Sequence, residues 1–205
     1  MLTRSFSEME ITGLILAGGR GSRMGSIDKG LALLGGQPMV QHVLTRLQPQ
    51  VPHLMISANQ NADAYAAFGV PVWPDAMPNF AGPLAGLQTG LANCQTPFLV
   101  TAPCDSPFLP ADLVGRLSAA LTAADADLAI AVTGTNDTRQ SHPVFCLTKV
   151  SVLPHLTAFL EAGGRKVERW YATLRVAEVH FADEAAFRNI NTRAELRQSE
   201  QAQQP

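Results

Sequence analysis

The sequence predicts a single three-layer α/β domain with a mostly parallel central sheet. Three observations point there. Short β-branched apolar runs, starting with Ile11 to Leu16, alternate along the chain with stretches of helical apolar spacing, and that alternation is the pattern of right-handed βαβ units. The 205 residues are 46% hydrophobic, enough for one substantial core. No period of roughly 20–50 residues repeats, and no low-complexity linker divides the chain.

The elements follow in order. Ile11 to Leu16 has the composition of a central strand covered on both faces. A glycine-rich loop leaves its end. Gly35-Gly36 makes a turn, and Pro38 introduces a helix over 39–47 whose apolar positions 39, 40, 43, 44 and 47 share one side. A second strand over 54–58 closes at Asn59-Gln60-Asn61, and a short helix over 62–68 stops at Gly69. Residues 70–73 can form only a short or edge strand, because Pro71 has no N–H to give a ladder. A helix over 83–93 puts Leu84, Leu87 and Leu91 on one face, and a buried strand follows over 98–102. A helix over 110–123, begun by Pro110-Ala111-Asp112, and a strand over 128–132 continue the alternation. Residues 134–141 are polar and breaker-rich, a surface loop leading into His142-Pro143-Val144-Phe145. Gly163-Gly164 stops a later helix. The domain is drawn over 11–198, between an N-terminal tail 1–10 and a C-terminal tail 199–205 whose last residues, 201–205, are expected to fray.

Composition excludes several classes of function. A net charge of −2, with Lys and Arg scattered along the chain, gives no field for a nucleic-acid backbone. A small anionic ligand held locally fits better. Residues 1–10 contain no apolar signal core, and no run approaches the roughly 18 apolar residues of a membrane span. A cytoplasmic protein without membrane contact is expected. Cys94, Cys104 and Cys146 are odd in number and far apart, against both a disulfide framework and a zinc site. Buried reduced thiols are the reading, and Cys104 has no sequence-local base to make it a nucleophile.

The chemistry gathers in Leu16-Ala17-Gly18-Gly19-Arg20-Gly21-Ser22-Arg23-Met24-Gly25-Ser26-Ile27-Asp28-Lys29-Gly30. Its glycines let the main chain approach a ligand and line up N–H groups as a concave anion site. Arg23 adds a rigid donor fork and Lys29 a mobile point charge, the pair a polyphosphate needs. The stretch is neither the ATPase P-loop nor the dinucleotide fingerprint, since Lys29 precedes Gly30 and Gly25 arrives one residue late. In open α/β sheets ligands lie beyond the strand carboxyl ends. Asn59 and Asp75 fall there, although each is also an ordinary turn or cap residue. Pro103-Cys104-Asp105-Ser106-Pro107 fixes the backbone on both sides of Asp105. An Asx-turn would explain that aspartate, but beside a triphosphate loop a Mg²⁺ ligand is the reading.

In the form L-A-G-G-x-x-x-R-M-G-x-x-D-K-G-L, from Leu16 to Leu31, the stretch resembles the signature of nucleotidyltransferases that activate sugars and cofactors. It is most similar to the molybdenum cofactor guanylyltransferases. The resemblance implies a Rossmann-like nucleotidyltransferase fold over nearly the whole domain. It implies nucleotide contacts from Leu16, Ala17, Gly18, Gly19, Lys29, Asn59, Asp75 and Asp105, with the last holding Mg²⁺ in a P-C-D-x-P segment. Asn59 and Asp75 match the family's guanosine site, ahead of Gly82-Pro83-Leu84-Ala85-Gly86. Related cytidylyl- and uridylyltransferases usually carry Ala at the position of Gly18, which therefore bears on the choice of base. His142-Pro143 lies beside the acceptor pocket in the family, and Asn189-Ile190-Asn191-Thr192 resembles its closing N-x-N-T, with Arg193 and Ala194 replacing the usual Pro-Glu. Thr192 and Glu195 also fit a capping box. Arg165 reads equally as a helix-end cation or as a contact for the phosphate of a pterin acceptor.

The activity implied is transfer of GMP from MgGTP to the terminal phosphate of Mo-molybdopterin, releasing pyrophosphate, with Arg23, Lys29 and Asp105 as catalytic residues. Contact with molybdenum-insertion and molybdoenzyme-maturation proteins is implied as well. Two rival readings stand beside it. One is a nucleotidyltransferase using CTP or a sugar-phosphate acceptor, against which Gly18 speaks. The other is a GTP-binding regulator without catalysis, against which the presence of Arg23, Lys29 and Asp105 speaks.

Overall fold

The computed structural model describes residues 11–18, 28–76 and 82–202. Gly19 and Arg23, with the rest of the glycine-rich stretch through residue 27, lie outside the described residues, as do the tail at 1–10 and residues 203–205.

Strand β1 (Ile11–Leu16) is followed by a small hairpin of β2 (Leu33–Leu34) and β3 (Gln37–Pro38), turned by Gly35 and Gly36. Helix α1 (Met39–Leu47), strand β4 (His53–Ser57), helix α2 (Ala62–Ala66) and strand β5 (Val72–Trp73) complete the first half. Helix α3 (Pro83–Asn93), strand β6 (Phe98–Pro103), helix α4 (Leu113–Ala123) and strand β7 (Leu128–Thr133) continue it. The chain then forms β8 (Gln140–Lys149), α5 (Leu153–Glu161), α6 (Val167–Tyr171), β9 (Val176–Phe181) and α7 (Arg193–Ala202).

The seven-stranded sheet has the order β5-β4-β1-β6-β8-β7-β9. Only β8 runs against its neighbours, antiparallel to β6 and β7, while the other pairings are parallel. Alternating side chains of the buried strands feed two cores. Ile11 and Ile15 pack with Val43, Leu47 and Leu117 on one face, and Leu14 packs with Leu87, Leu91, Leu156 and Trp170 on the other. That is the three-layer arrangement expected of strands buried on both sides. A third cluster of Leu34, Met39 and Ile190 ties the hairpin to the segment entering α7.

Most expected elements occur where the pattern puts them. Helix α3 spans Pro83–Asn93, with Pro83 following Gly82 at a φ of 81°. Strand β5 is the short edge strand that Pro71 allows. Three boundaries differ. The helix expected from residue 110 begins at Leu113, because the Gln50 side chain occupies its approach, donating to Pro110 O at 2.9 Å and accepting from Val114 N at 3.0 Å. The helix after Asn61 ends at Ala66 and reaches Gly69 through a turn. Helix α7 runs to Ala202, past the boundary drawn at 198, and Glu200 accepts from Gly35 N at 3.2 Å.

The segment read as a surface loop over 134–141 holds only a short turn at Asn136–Thr138 before β8 opens at Gln140. The β7–β8 register steps from Ile130↔Cys146 to Ala131↔His142, so residues 143–145 stand out of the ladder as a bulge. Pro143 is tolerated there because a bulged residue owes the ladder no donor. Two hydroxyls satisfy the displaced carbonyls: Tyr171 Oη donates to Pro143 O at 2.7 Å, and Thr101 Oγ1 to Val144 O at 2.5 Å. Among the described residues no helix is long and apolar enough to cross a membrane.

Candidate active site

The parallel strands β1, β4, β5 and β6 end at one edge of the sheet, and the last residue of each strand or the chain just beyond it supplies a wall of one cleft of about 630 Å³. Backbone bonds carry the strand spacing past those ends. Ala17 N donates to Ser57 O at 2.8 Å, and Cys104 N to Leu16 O at 3.1 Å. Gly18, Asp75, Lys29 and Asp105 therefore face a shared space, with Gly86 of α3 and Asn189 closing it.

On the β4–β5 side, Asn59 and Asp75 hold one another. Asn59 Nδ2 donates to Asp75 Oδ2 at 2.7 Å, and Asp75 N donates to Asn59 Oδ1 at 2.8 Å. Ser57 Oγ, fully buried, donates to the other carboxylate oxygen at 2.8 Å. Sequence reasoning missed Ser57, although the two-residue period of a strand places 57 and 59 on one side. Gly18 lies directly against this group. A Cβ there would stand 3.1 Å from Asn59 Nδ2 and 3.5 Å from Asp75 Oδ2, so the closeness of main chain to amide is what the glycine permits.

On the β6 side, Lys29 and Asp105 meet. Lys29 Nζ lies 3.1 Å from Asp105 Oδ2 and donates to Asn191 Oδ1 at 2.5 Å. Asp105 is buried, and its carbonyl accepts from Ile190 N at 2.8 Å, which brings the 189–191 segment to the cleft. Ser106 Oγ donates to Asn189 Oδ1 at 2.6 Å. Asp28 begins the short turn of Lys29–Leu31 and accepts from Gly30 N at 3.1 Å. Cys104 adjoins Asp105 but is buried. Burial first, and then the charges of Asp105 and Asp28, push its thiol well above the ordinary range, which keeps it protonated and unreactive. All three cysteines are free thiols, and Cys104 and Cys146 are buried.

A second cavity of about 710 Å³ adjoins the first, sharing Pro103, Val144 and Asn189 as walls. The bulge at 143–145 is the partition between them. His142 and Asn191 line this second space. The His142 ring stacks on Phe187 at 4.7 Å between centroids, and its Nε2 lies 2.8 Å from Thr133 Oγ1. Burial lowers the His142 pKa below its ordinary 6.5, with Glu184 pulling weakly the other way. Arg165 is not brought to either cavity. Its guanidinium donates to Leu160 O at 2.8 Å and Gly164 O at 2.6 Å, capping the end of α5, so the helix-end reading of that cation accounts for it. Thr192 and Glu195 make the capping box: Glu195 N donates to Thr192 Oγ1 at 3.2 Å and Thr192 N to Glu195 Oε2 at 3.1 Å.

The model of the MobA-like NTP transferase domain matches residues 13–178. A molybdenum cofactor guanylyltransferase of Cupriavidus necator is 62% identical over 192 residues, covering 93% of this chain and 96% of that protein. One from Bordetella petrii is 58% identical over 189 residues, covering 92% and 96%. Among solved structures, molybdopterin-guanine dinucleotide biosynthesis protein A from Archaeoglobus fulgidus superposes with a TM-score of 0.75 at 22% identity, covering 93% of this chain and 97% of that one. A CMP:2-keto-3-deoxy-manno-octonic acid synthetase complexed with CTP superposes at 0.78 with 14% identity over 94% and 98%. At such identities these two likenesses speak to the fold.

Proposed function

Because the chain belongs to the MobA-like NTP transferase family, we propose that its cleft performs the guanylyl transfer of molybdenum cofactor biosynthesis. GMP passes from GTP to the terminal phosphate of Mo-molybdopterin, giving the guanine dinucleotide cofactor and pyrophosphate. An oxygen of the acceptor phosphate attacks the α-phosphorus, a P–O bond forms, and the bond from the α-phosphorus to the bridging oxygen breaks. Pyrophosphate departs with that electron pair. The attacking oxygen is already anionic, so the reaction needs alignment and charge neutralisation more than a base.

The observation that carries this reading is the convergence of Lys29, Asp105 and Asp75 on one cleft, with Asn59 bonded to Asp75 and a second cavity beside it. Lys29 is the cation for the triphosphate and the departing pyrophosphate. Asn59 and Asp75 take the nucleoside, the side chains being held rigid by their mutual bonds and by Ser57. The second cavity takes the acceptor, with His142, Asn189 and Asn191 along its walls.

Mg²⁺ fits the donor set. Among the described residues no three His, Cys, Asp or Glu side chains cluster as an all-protein cage, and Mg²⁺ is commonly held by one or two carboxylates together with substrate phosphates and waters. Asp105, the carboxylate beside Lys29 at the cleft, supplies that kind of ligand. When bound, the ion neutralises charge on the phosphate oxygens.

The test is a purified assay with GTP, Mg²⁺ and molybdenum-charged molybdopterin, following the dinucleotide by chromatography, with CTP, UTP and ATP in parallel. GTP-dependent dinucleotide is the expected product. Formation with CTP instead, or GTP binding without turnover, would overturn the proposal.

A further inference from the structure

Asp28 and Tyr65 are 37 residues apart, and the Tyr65 hydroxyl donates to Asp28 Oδ1 at 2.5 Å. The same carboxylate accepts from Gly30 N at 3.1 Å and, through Oδ2, from Asn61 Nδ2 at 3.0 Å. Three donors from two parts of the chain thus converge on the residue next to Lys29.

The ring of Tyr65 is fully buried among apolar groups of the sheet face that carries α1 and α4. A phenylalanine would fill that volume with no polar atom to satisfy, so the hydroxyl is not a demand of packing. Its position has a clear consequence for the turn at Lys29–Leu31. A Cβ on Gly30 would stand 2.4 Å from Tyr65 Oη and 3.2 Å from Cys104 Cβ and Sγ, so the turn rests on the phenol and on the strand exit that carries Asp105. The far end of Lys29 is held separately, by Asp105 and Asn191. The ammonium therefore has two supports, one at its tip and one beneath its backbone.

From this geometry we infer that Tyr65 is a positioning residue for Lys29: with Asn61 it fixes Asp28 and so the backbone turn from which Lys29 reaches the cleft. The inference rests on the guanylyl-transfer reading, in which Lys29 meets the triphosphate. A displacement of about 1 Å in a charge aimed at a transition state is enough to cost a large factor in rate. Tyr65 acts on the reaction only through Lys29, and that sets the form of the test.

The experiment compares wild type, Tyr65→Phe, Lys29→Met and the double variant in the dinucleotide assay, with thermal unfolding of each. The expected result is a kcat lower by about tenfold in Tyr65→Phe and no further loss, within about twofold, when Tyr65→Phe is added to Lys29→Met. A tyrosine that merely stabilised the fold would lower the melting temperature and leave that non-additivity absent. Unchanged kcat in Tyr65→Phe, or an equal loss in both backgrounds, would overturn the inference. Should Tyr65→Phe not fold, Asn61→Gly replaces it under the same criteria, since glycine keeps the left-handed backbone at a φ of 53° while removing the amide. A wild-type protein that makes no dinucleotide overturns the functional reading instead, and does so before any variant is compared.

Discussion

Lys29 and Asp105 stand 76 residues apart in sequence and 3.1 Å apart in space, the cation from the end of the glycine-rich stretch and the carboxylate from the exit of a buried strand. Both side chains are largely shielded, with 23% and 10% of their surface exposed, so neither charge is screened as a surface pair would be.

That pairing predicts how each variant fails. Lys29→Met and Asp105→Asn are each expected to lower kcat/KM by roughly a hundred- to a thousandfold, as the loss of one preorganised charge at a transition state does. Because both side chains are largely shielded, the partner left behind keeps a charge that little water reaches, and each variant is also expected to lower the unfolding temperature. Pyrophosphate release measured alongside a melting curve checks both halves. A variant that keeps near-normal turnover would remove its residue from the mechanism.

The base is the next question. Gly18→Ala sets a methyl group 3.1 Å from the Asn59 amide nitrogen, a few tenths of an ångström too close. The amide must give way, and with it Asp75, to which it is bound. The expected result is a fall in kcat/KM for GTP of about 10–200-fold, the range for a misfit of one methyl group in a pocket, with a smaller fall for CTP. Competition between the two nucleotides at fixed acceptor measures it. An unchanged GTP-to-CTP ratio would show that this glycine does not select the base.

Much of the scaffold was legible because it depends on local pattern. Strand β1 and helices α1 and α3 announce themselves by apolar period and by Pro and Gly punctuation, and Pro71 alone argued for an edge strand. Strand β8 was not legible, since its bulge breaks the two-residue alternation at Pro143 and its place between β6 and β7 is a matter of long-range pairing. The site divides the same way. Lys29, Asn59, Asp75 and Asp105 sit at motif positions, whereas Ser57, Asn61 and Tyr65 enter it through tertiary contacts that no local rule encodes. Arg165 shows the converse: its Gly163-Gly164 context described a helix end, and the carbonyls of that helix end are what it binds.

His142 gives a prediction in pH. Burial holds its folded pKa below the ordinary 6.5, so below that pH the unfolded chain takes up a proton that the native protein resists. Stability contributed at this site is therefore intact above about pH 6.5 and is lost as pH falls toward the folded value. His142→Gln removes that dependence. The difference in unfolding free energy between wild type and variant, measured by denaturant titration at pH 8 and at pH 5.5, is expected to shift against the wild type at the lower value. A difference that does not change with pH would refute the lowered pKa of this partly buried imidazole.

The capping box at the start of α7 is also part of the site. Glu195 Oε2 accepts from Thr192 N and, at 2.6 Å, from Asn191 N, while Asn191 Oδ1 accepts from Lys29 Nζ. One carboxylate thus begins a helix and holds the backbone of Asn191, the residue whose side chain meets the Lys29 ammonium at the cleft. Glu195→Ala is expected to cost about 1 kcal/mol of stability, as a lost cap does, and in addition to lower kcat about tenfold by releasing Asn191. Glu195→Gln keeps an oxygen that can close the box and is expected to restore most of both. If Glu195→Ala loses stability and keeps its full kcat, the cap serves the helix alone, and Asn191 holds its place against Lys29 by other means.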